Sequence, residues 1–240
     1  MIVAKGMPYA IPNLQIIKKT KMKKAILTSK REITRNDGSK AYPLNEDLMP
    51  KGNGSPQCLI DIVEFLNVEK SLRYKRNEVG GKVVATYCNI YAFDYCNLAG
   101  GYLPRVWWNK SVIEDIKQGK DIDPVYSKTV SELNANSLYD WFKDYSLDFG
   151  WQKQNDLYEA QQKANAGYIV IIVAKQKIVS RSGHITVIVP ETKANKSRSI
   201  NKTFLPLQSQ SGLVNQKYFT DNWFVHPRYE GFGVYALKTV

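Results

Sequence analysis

The side chains in this 240-residue chain best suited to nucleophilic chemistry are three cysteines, Cys58, Cys88 and Cys96, and two histidines, His184 and His226. The reactive form of cysteine is the thiolate. A helix N-terminus favours it through free backbone N–H groups and the positive end of the helix dipole. The same N–H groups can hold the oxyanion of a tetrahedral intermediate. Only Cys88 falls at such a place. A short β-like run over 83–87 leads into it, and a helix is predicted over 88–98, stopped by Gly100 and Gly101. Cys58 and Cys96 fall inside predicted helices and read as core thiols.

A thiol nucleophile needs a base within about 3 Å. His184 follows Arg181-Ser182-Gly183 and opens a predicted strand, where a ring can face a cleft. His226 precedes Pro227 in a loop and would be positioned less well. A third group should orient the imidazole. Glu191 is the nearest acid, but along an extended strand it lies about 23 Å from His184 at 3.3 Å per residue. If Pro190 pairs opposite Phe204, His184 faces Gln210, with Gln208 two places off on the same face. The order of preference is therefore Gln210, Gln208, Glu191. An amide oxygen suffices, since it accepts the ring N–H.

These groups need a scaffold. Ser55-Pro56 starts a helix with Leu59, Ile60, Ile62, Val63, Phe65 and Leu66 forming its apolar face. Further helices are predicted from Ser111, from a cap at Asn136-Ser137, and from Asn155-Asp156. Residues 73–77 and 80–81 read as loop. The last third changes period, with strands over 168–174, 184–190, 202–210 and 233–238. Helices first and neighbouring strands after predict an α+β fold, with N-terminal helices packed on one side of a C-terminal antiparallel sheet.

Residues 1–55, rich in Lys, Pro and Gly, read as a basic extension ahead of a domain over 56–240, with a hairpin turn at Asn36-Asp37-Gly38. The net charge is +12, and Lys18 to Arg35 carry eight basic residues against Glu32 alone. That arm is either solvated or a tether for an anionic polymer such as nucleic acid or a wall polymer. No apolar run is long enough to span a membrane, and the N-terminus lacks the apolar core of a secretory signal. The expectation is a protein made in the cytoplasm. With two histidines and no CxxC or HExxH, no metal site is expected, and no phosphate-binding loop or other cofactor motif is present. Trp107-Trp108 and Trp151 would stack on sugars or, more commonly, pack in the core.

The runs Thr86-Tyr87-Cys88-Asn89-Ile90-Tyr91 and Gly183-His184-Ile185, the roughly 96-residue gap between Cys88 and His184, and the later Gln208-Ser209-Gln210 together resemble the NlpC/P60 and CHAP superfamily of bacterial and phage peptidoglycan amidases and endopeptidases. The likeness spans about residues 56–238. It implies a papain-like core, cleavage of cell-wall peptide amides, and no cofactor. It departs at Tyr-Cys-Asn, where many members have Asp-Cys-Ser, and at the glutamines, where CHAP members often carry an acid. Without a signal, action on the wall would need lysis, a phage particle or a secretion apparatus, and so a delivery or immunity partner. Two other functions compete: a non-enzymatic basic binding protein, and a papain-like enzyme acting on another amide, such as a protein side chain.

Overall fold

A computed structural model describes residues 21–26 and 49–239. The hairpin expected at Asn36–Gly38 lies outside them. The first helix, α1 (Pro56–Leu66), begins as its cap residues require, with the Ser55 side chain accepting from the Cys58 N–H and proline in the first turn. It buries Cys58, Leu59, Ile62, Val63 and Leu66. A 3-10 turn (Leu72–Tyr74) and the hairpin β1 (Asn77–Val79) and β2 (Lys82–Ala85) follow. Gly80 and Gly81, both at positive φ, make its turn. Asn77, read as the end of a loop, is thus the first residue of a paired strand.

Next comes α2 (Cys88–Leu98), buried on nearly every side. The middle of the chain holds β3 (Val106–Trp108), α3 (Lys110–Lys117), β4 (Val130–Glu132) and α4 (Ala135–Tyr145). The cap of α4 is Asn134, whose side chain accepts from the Ser137 N–H, and not Asn136. Asn136 instead ties down the chain ahead of His184: its amide donates to the Arg181 carbonyl at 2.9 Å and accepts from the Gln176 N–H at 3.0 Å.

The remaining elements are β5 (Gln152–Gln154), α5 (Leu157–Asn165), β6 (Ile169–Gln176), β7 (His184–Ile188), β8 (Arg198–Ile200), β9 (Thr203–Leu205), β10 (Leu207–Gln210), β11 (Gln216–Thr220) and β12 (Tyr229–Leu237). Six of them form an antiparallel sheet in the order β11-β10-β7-β6-β12-β5. The fold is mixed α/β around this sheet. Ile169, Ile171, Val173, Ile185 and Val187 face α2 and α4 in the main core, which α1 joins by packing on α2. Val170, Ile172, Ala174 and Ile188 face α5 and Phe224 on the other side. The helices therefore cover both faces, not one. The unbroken run Ile169 to Ala174 carries the reason, since a strand apolar at every position has to be buried on both sides.

Residues 21–26 are not a solvated arm. Met22 and Ala25 are buried. The Lys23 carbonyl accepts from the Trp108 indole N–H at 2.8 Å, and the Ala25 N–H donates to the Tyr102 hydroxyl at 3.0 Å. The Lys23 ammonium pairs with Asp121 at 2.5 Å. Met22→Ala is therefore expected to cost about 2 kcal/mol in urea unfolding, the low end for a buried methionine on this short strap. A value near zero would mean that the strap adds nothing to the domain. Among the described residues, no helix is long and apolar enough to cross a membrane.

Candidate active site

The site is built where α2 starts and β7 starts. Tyr87, at the cap of α2, makes no side-chain cap bond. The backbone N–H groups of Cys88 and Asn89 in the first turn, and of Ile185, the residue after His184, favour the Cys88 thiolate. Three polar side chains hold the helix in place behind it. The Asn89 amide donates to the Leu133 carbonyl at 2.9 Å, Tyr91 shares a 2.5 Å hydrogen bond with Ser209, and Asp94 binds Arg73.

His184 meets Gln210, with Nε2 at 2.7 Å from Oε1. The register that achieves this is not the expected one. Gln208 stands opposite Ile188 and Ser209 opposite Val187, two residues away from a Pro190–Phe204 pairing. Pro206 has no N–H for the ladder, and it separates β9 from β10. A slip of two keeps every side chain on its face, so Gln210 still reaches the ring, on a diagonal. The β10–β11 register also shifts between Gln208 and Gln210, the kind of irregularity that re-aims a side chain.

The Gln210 amide is fixed at both ends. Its NH₂ donates to the Val214 carbonyl at 3.2 Å and to Gln216 Oε1 at 3.1 Å, leaving its oxygen to face the ring. His184 Nε2 must then carry the hydrogen, and Nδ1, the nitrogen nearer the main chain, is the basic one. Trp223 packs edge-on against the imidazole with centroids 4.6 Å apart. The fully buried Gln208 holds that indole, accepting its N–H at 2.9 Å and the Thr186 hydroxyl at 2.9 Å. Gln208 thus supports the ring's neighbour, while Gln210 holds the ring.

Glu191 lies at the far end of β7 with Asn165 and Ser197, away from His184. The His226 ring accepts the Arg228 N–H at 3.2 Å within its own turn. Cys58 and Cys96 are buried, and so are Trp107, Trp108 and Trp151, which serve as core rather than as exposed stacking platforms. Among the described residues, no cluster of His, Cys, Asp or Glu gathers as a metal site would need.

His184 lines a cavity of about 370 Å³ with Thr86, Gln210, Trp223, Arg228 and Tyr229. Cys88 is 5% exposed, and Thr86, two residues before it, belongs to the cavity wall. Trp223, Arg228, Gln216 and the Gly212–Val214 turn carried no sequence signal as site residues, because the fold gathers them from separate strands and turns.

Burial pushes the Cys88 thiol up to about 11, against the three N–H groups that favour the anion. Burial lowers His184 to about 4, with Gln210 opposing and the nearby Arg228 charge adding to the fall. The resting pair is neutral thiol and neutral imidazole. The histidine shift has a consequence for stability. Its folded pKa lies below the unfolded 6.5, so the unfolded chain binds the extra proton between them. Stability is then full above about pH 6.5 and falls, by on the order of 3 kcal/mol, as pH drops to about 4. His184→Gln should flatten that slope in urea unfolding across the window. An unchanged slope would remove His184 as its source.

Comparison with models of known protein families gave no match, and no curated protein matches the chain.

Proposed function

We propose that this protein is a papain-like cysteine hydrolase that cleaves peptide amide bonds of the bacterial cell wall. The supporting observation is the His184–Gln210 hydrogen bond. It leaves Nδ1 as the base on a ring whose neighbouring residue, Ile185, favours the Cys88 thiolate through its backbone N–H.

In this reading His184 Nδ1 takes the thiol proton as Cys88 Sγ attacks the carbonyl carbon. The carbonyl π electrons move to oxygen, and backbone N–H groups at the start of α2 receive the oxyanion. Gln210 Oε1 steadies the imidazolium. The imidazolium gives its proton to the leaving amine as the C–N bond breaks, and a thioester remains on Cys88. Water then attacks with His184 again as base, releasing the acid and the free thiol.

The wall as substrate rests on the motif resemblance. Its test is purified peptidoglycan treated with wild type and with Cys88→Ala. New amino groups without new reducing sugar ends, from wild type only, are expected. Equal release by both proteins would overturn the nucleophile. Release of reducing ends alone would overturn the amide. A binding protein that uses the basic arm as a tether is less well supported, because Lys23 of that arm is engaged with Asp121 and the Ile122 carbonyl.

A further inference from the structure

The Gln210 amide offers its oxygen to His184 because its NH₂ has acceptors elsewhere, and only one of these is rigid. Gln216 Oε1 belongs to an amide that can itself turn over, whereas the Val214 carbonyl cannot. The turn that carries Val214, residues 212–215, is clasped by the half-buried side chain of Asn215. Asn215 Oδ1 accepts the Gly212 N–H at 3.0 Å, and Nδ2 donates to the Val68 carbonyl at 3.0 Å and to the Tyr74 carbonyl at 2.9 Å. Arg76 also donates to the turn, at the Leu213 carbonyl, but from an exposed position where water competes. The turn closes on the ring itself, since a Cβ added at Gly212 would stand 3.3 Å from His184 Cε1. On its other side Asn215 leads to the helix of the nucleophile, because the Tyr74 hydroxyl donates to Asp94 of α2 at 2.7 Å.

We infer that Asn215 is a positioning residue that sets the tautomer of His184, by holding the Val214 carbonyl where it orients the Gln210 amide. Its catalytic consequence rests on the amidase reading above, while its effect on the ring does not. An amide can present either end to an imidazole. With Oε1 toward the ring, Nε2 carries the hydrogen. With NH₂ toward the ring, Nε2 must accept, the hydrogen moves to Nδ1, and Nδ1 can no longer take the thiol proton. The two arrangements differ by the ends of one amide, so the carbonyl that receives the NH₂ decides between them. Released from Val68 and Tyr74, the turn would carry that carbonyl away. Asn215 is not among the residues that line the His184 cavity, so its loss should act on kcat and not on KM.

The test reads the ring directly, by nitrogen NMR of the histidine side chains at neutral pH, with the His184 signals identified by their loss in His184→Gln. Wild type is expected to show the Nε2–H tautomer alone. Asn215→Ala should show Nδ1–H as the main form, and its kcat on wall peptide should fall about tenfold with KM unchanged. Asn215→Asp keeps the acceptor for Gly212 and loses both donors. It should behave in the same way, and it serves if the alanine variant does not fold. In a Gln210→Glu background Asn215→Ala should leave the tautomer as it is, since a carboxylate offers an oxygen either way round. Asn165→Ala removes a comparable clasp at the far end of β7, where the Asn165 amide bonds Glu191 through both its oxygen and its nitrogen. That change should lower stability and move neither the tautomer nor kcat. An Nε2–H ring in both Asn215 variants overturns the inference whatever their kcat, and so does an Nδ1–H ring in wild type. If wild type cleaves no wall peptide but Asn215→Ala still shifts the tautomer, the amidase reading falls and the positioning of His184 stands.

Discussion

Cys88→Ala and His184→Ala are each expected to lower kcat on wall peptide by about 10³-fold or more, and the double change should cost little beyond either one alone. In the proposed mechanism the nucleophile and the base act as a unit. An unassisted thiol held up to about 11 carries almost no thiolate at neutral pH, and a base with no thiol has nothing to activate. The pH dependence separates this neutral pair from a pre-formed ion pair. With His184 near 4 and Cys88 near 11, kcat/KM should rise through about pH 4 and then stay level through neutrality. Steady-state assays across that range check it. Losses that multiply in the double variant would mean that the two residues act independently.

The second large effect is structural. Asp94→Ala is expected to lower the free energy of unfolding by about 3–5 kcal/mol. Asp94 Oδ2 lies 2.6 Å from Arg73 Nε and Oδ1 lies 2.9 Å from Arg73 Nη2. The Tyr74 hydroxyl donates to the same carboxylate at 2.7 Å. Arg73 and Asp94 are 3% and 2% exposed, so removing the acid leaves a buried cation and a buried hydroxyl without their main partner. Replacing both by apolar residues, Arg73→Met with Asp94→Leu, should cost less than Asp94→Ala, because no charge is then left alone. Urea unfolding of the three proteins decides it. A cost below about 1 kcal/mol for Asp94→Ala would mean that water reaches the guanidinium.

The start of α2 was legible from Tyr87-Cys88 and the closing glycines, and the cores of β6 and β7 from their apolar runs. Strong local signals carried these elements. The three-residue strands β3, β4, β5 and β8 were not legible, since so short a run has no period to read. Nor was β11, where Gln216 to Thr220 mix polar and apolar side chains without burying any of them fully. Register is a long-range property. Counting strands without the break at Pro206 set His184 directly opposite Gln210, and only the even size of the error kept Gln210 on the right face. The strap hid behind its charge: Lys21, Lys23 and Lys24 look like solvent residues, while Met22 and Ala25 beside them are what the domain buries. The partnership of Gln208 with Trp223 depends on a turn thirteen to fifteen residues further on, which strand periodicity does not show.

The most direct measurement is the site of the covalent intermediate. Wild-type protein is mixed with excess wall peptide, quenched in acid within the first turnover, digested and mapped by mass spectrometry. An acyl group on Cys88, present in wild type, strongly reduced in His184→Ala and absent from Cys88→Ala, is the predicted result. Acylation of another residue, or equal acylation of Cys88 with and without His184, would contradict it.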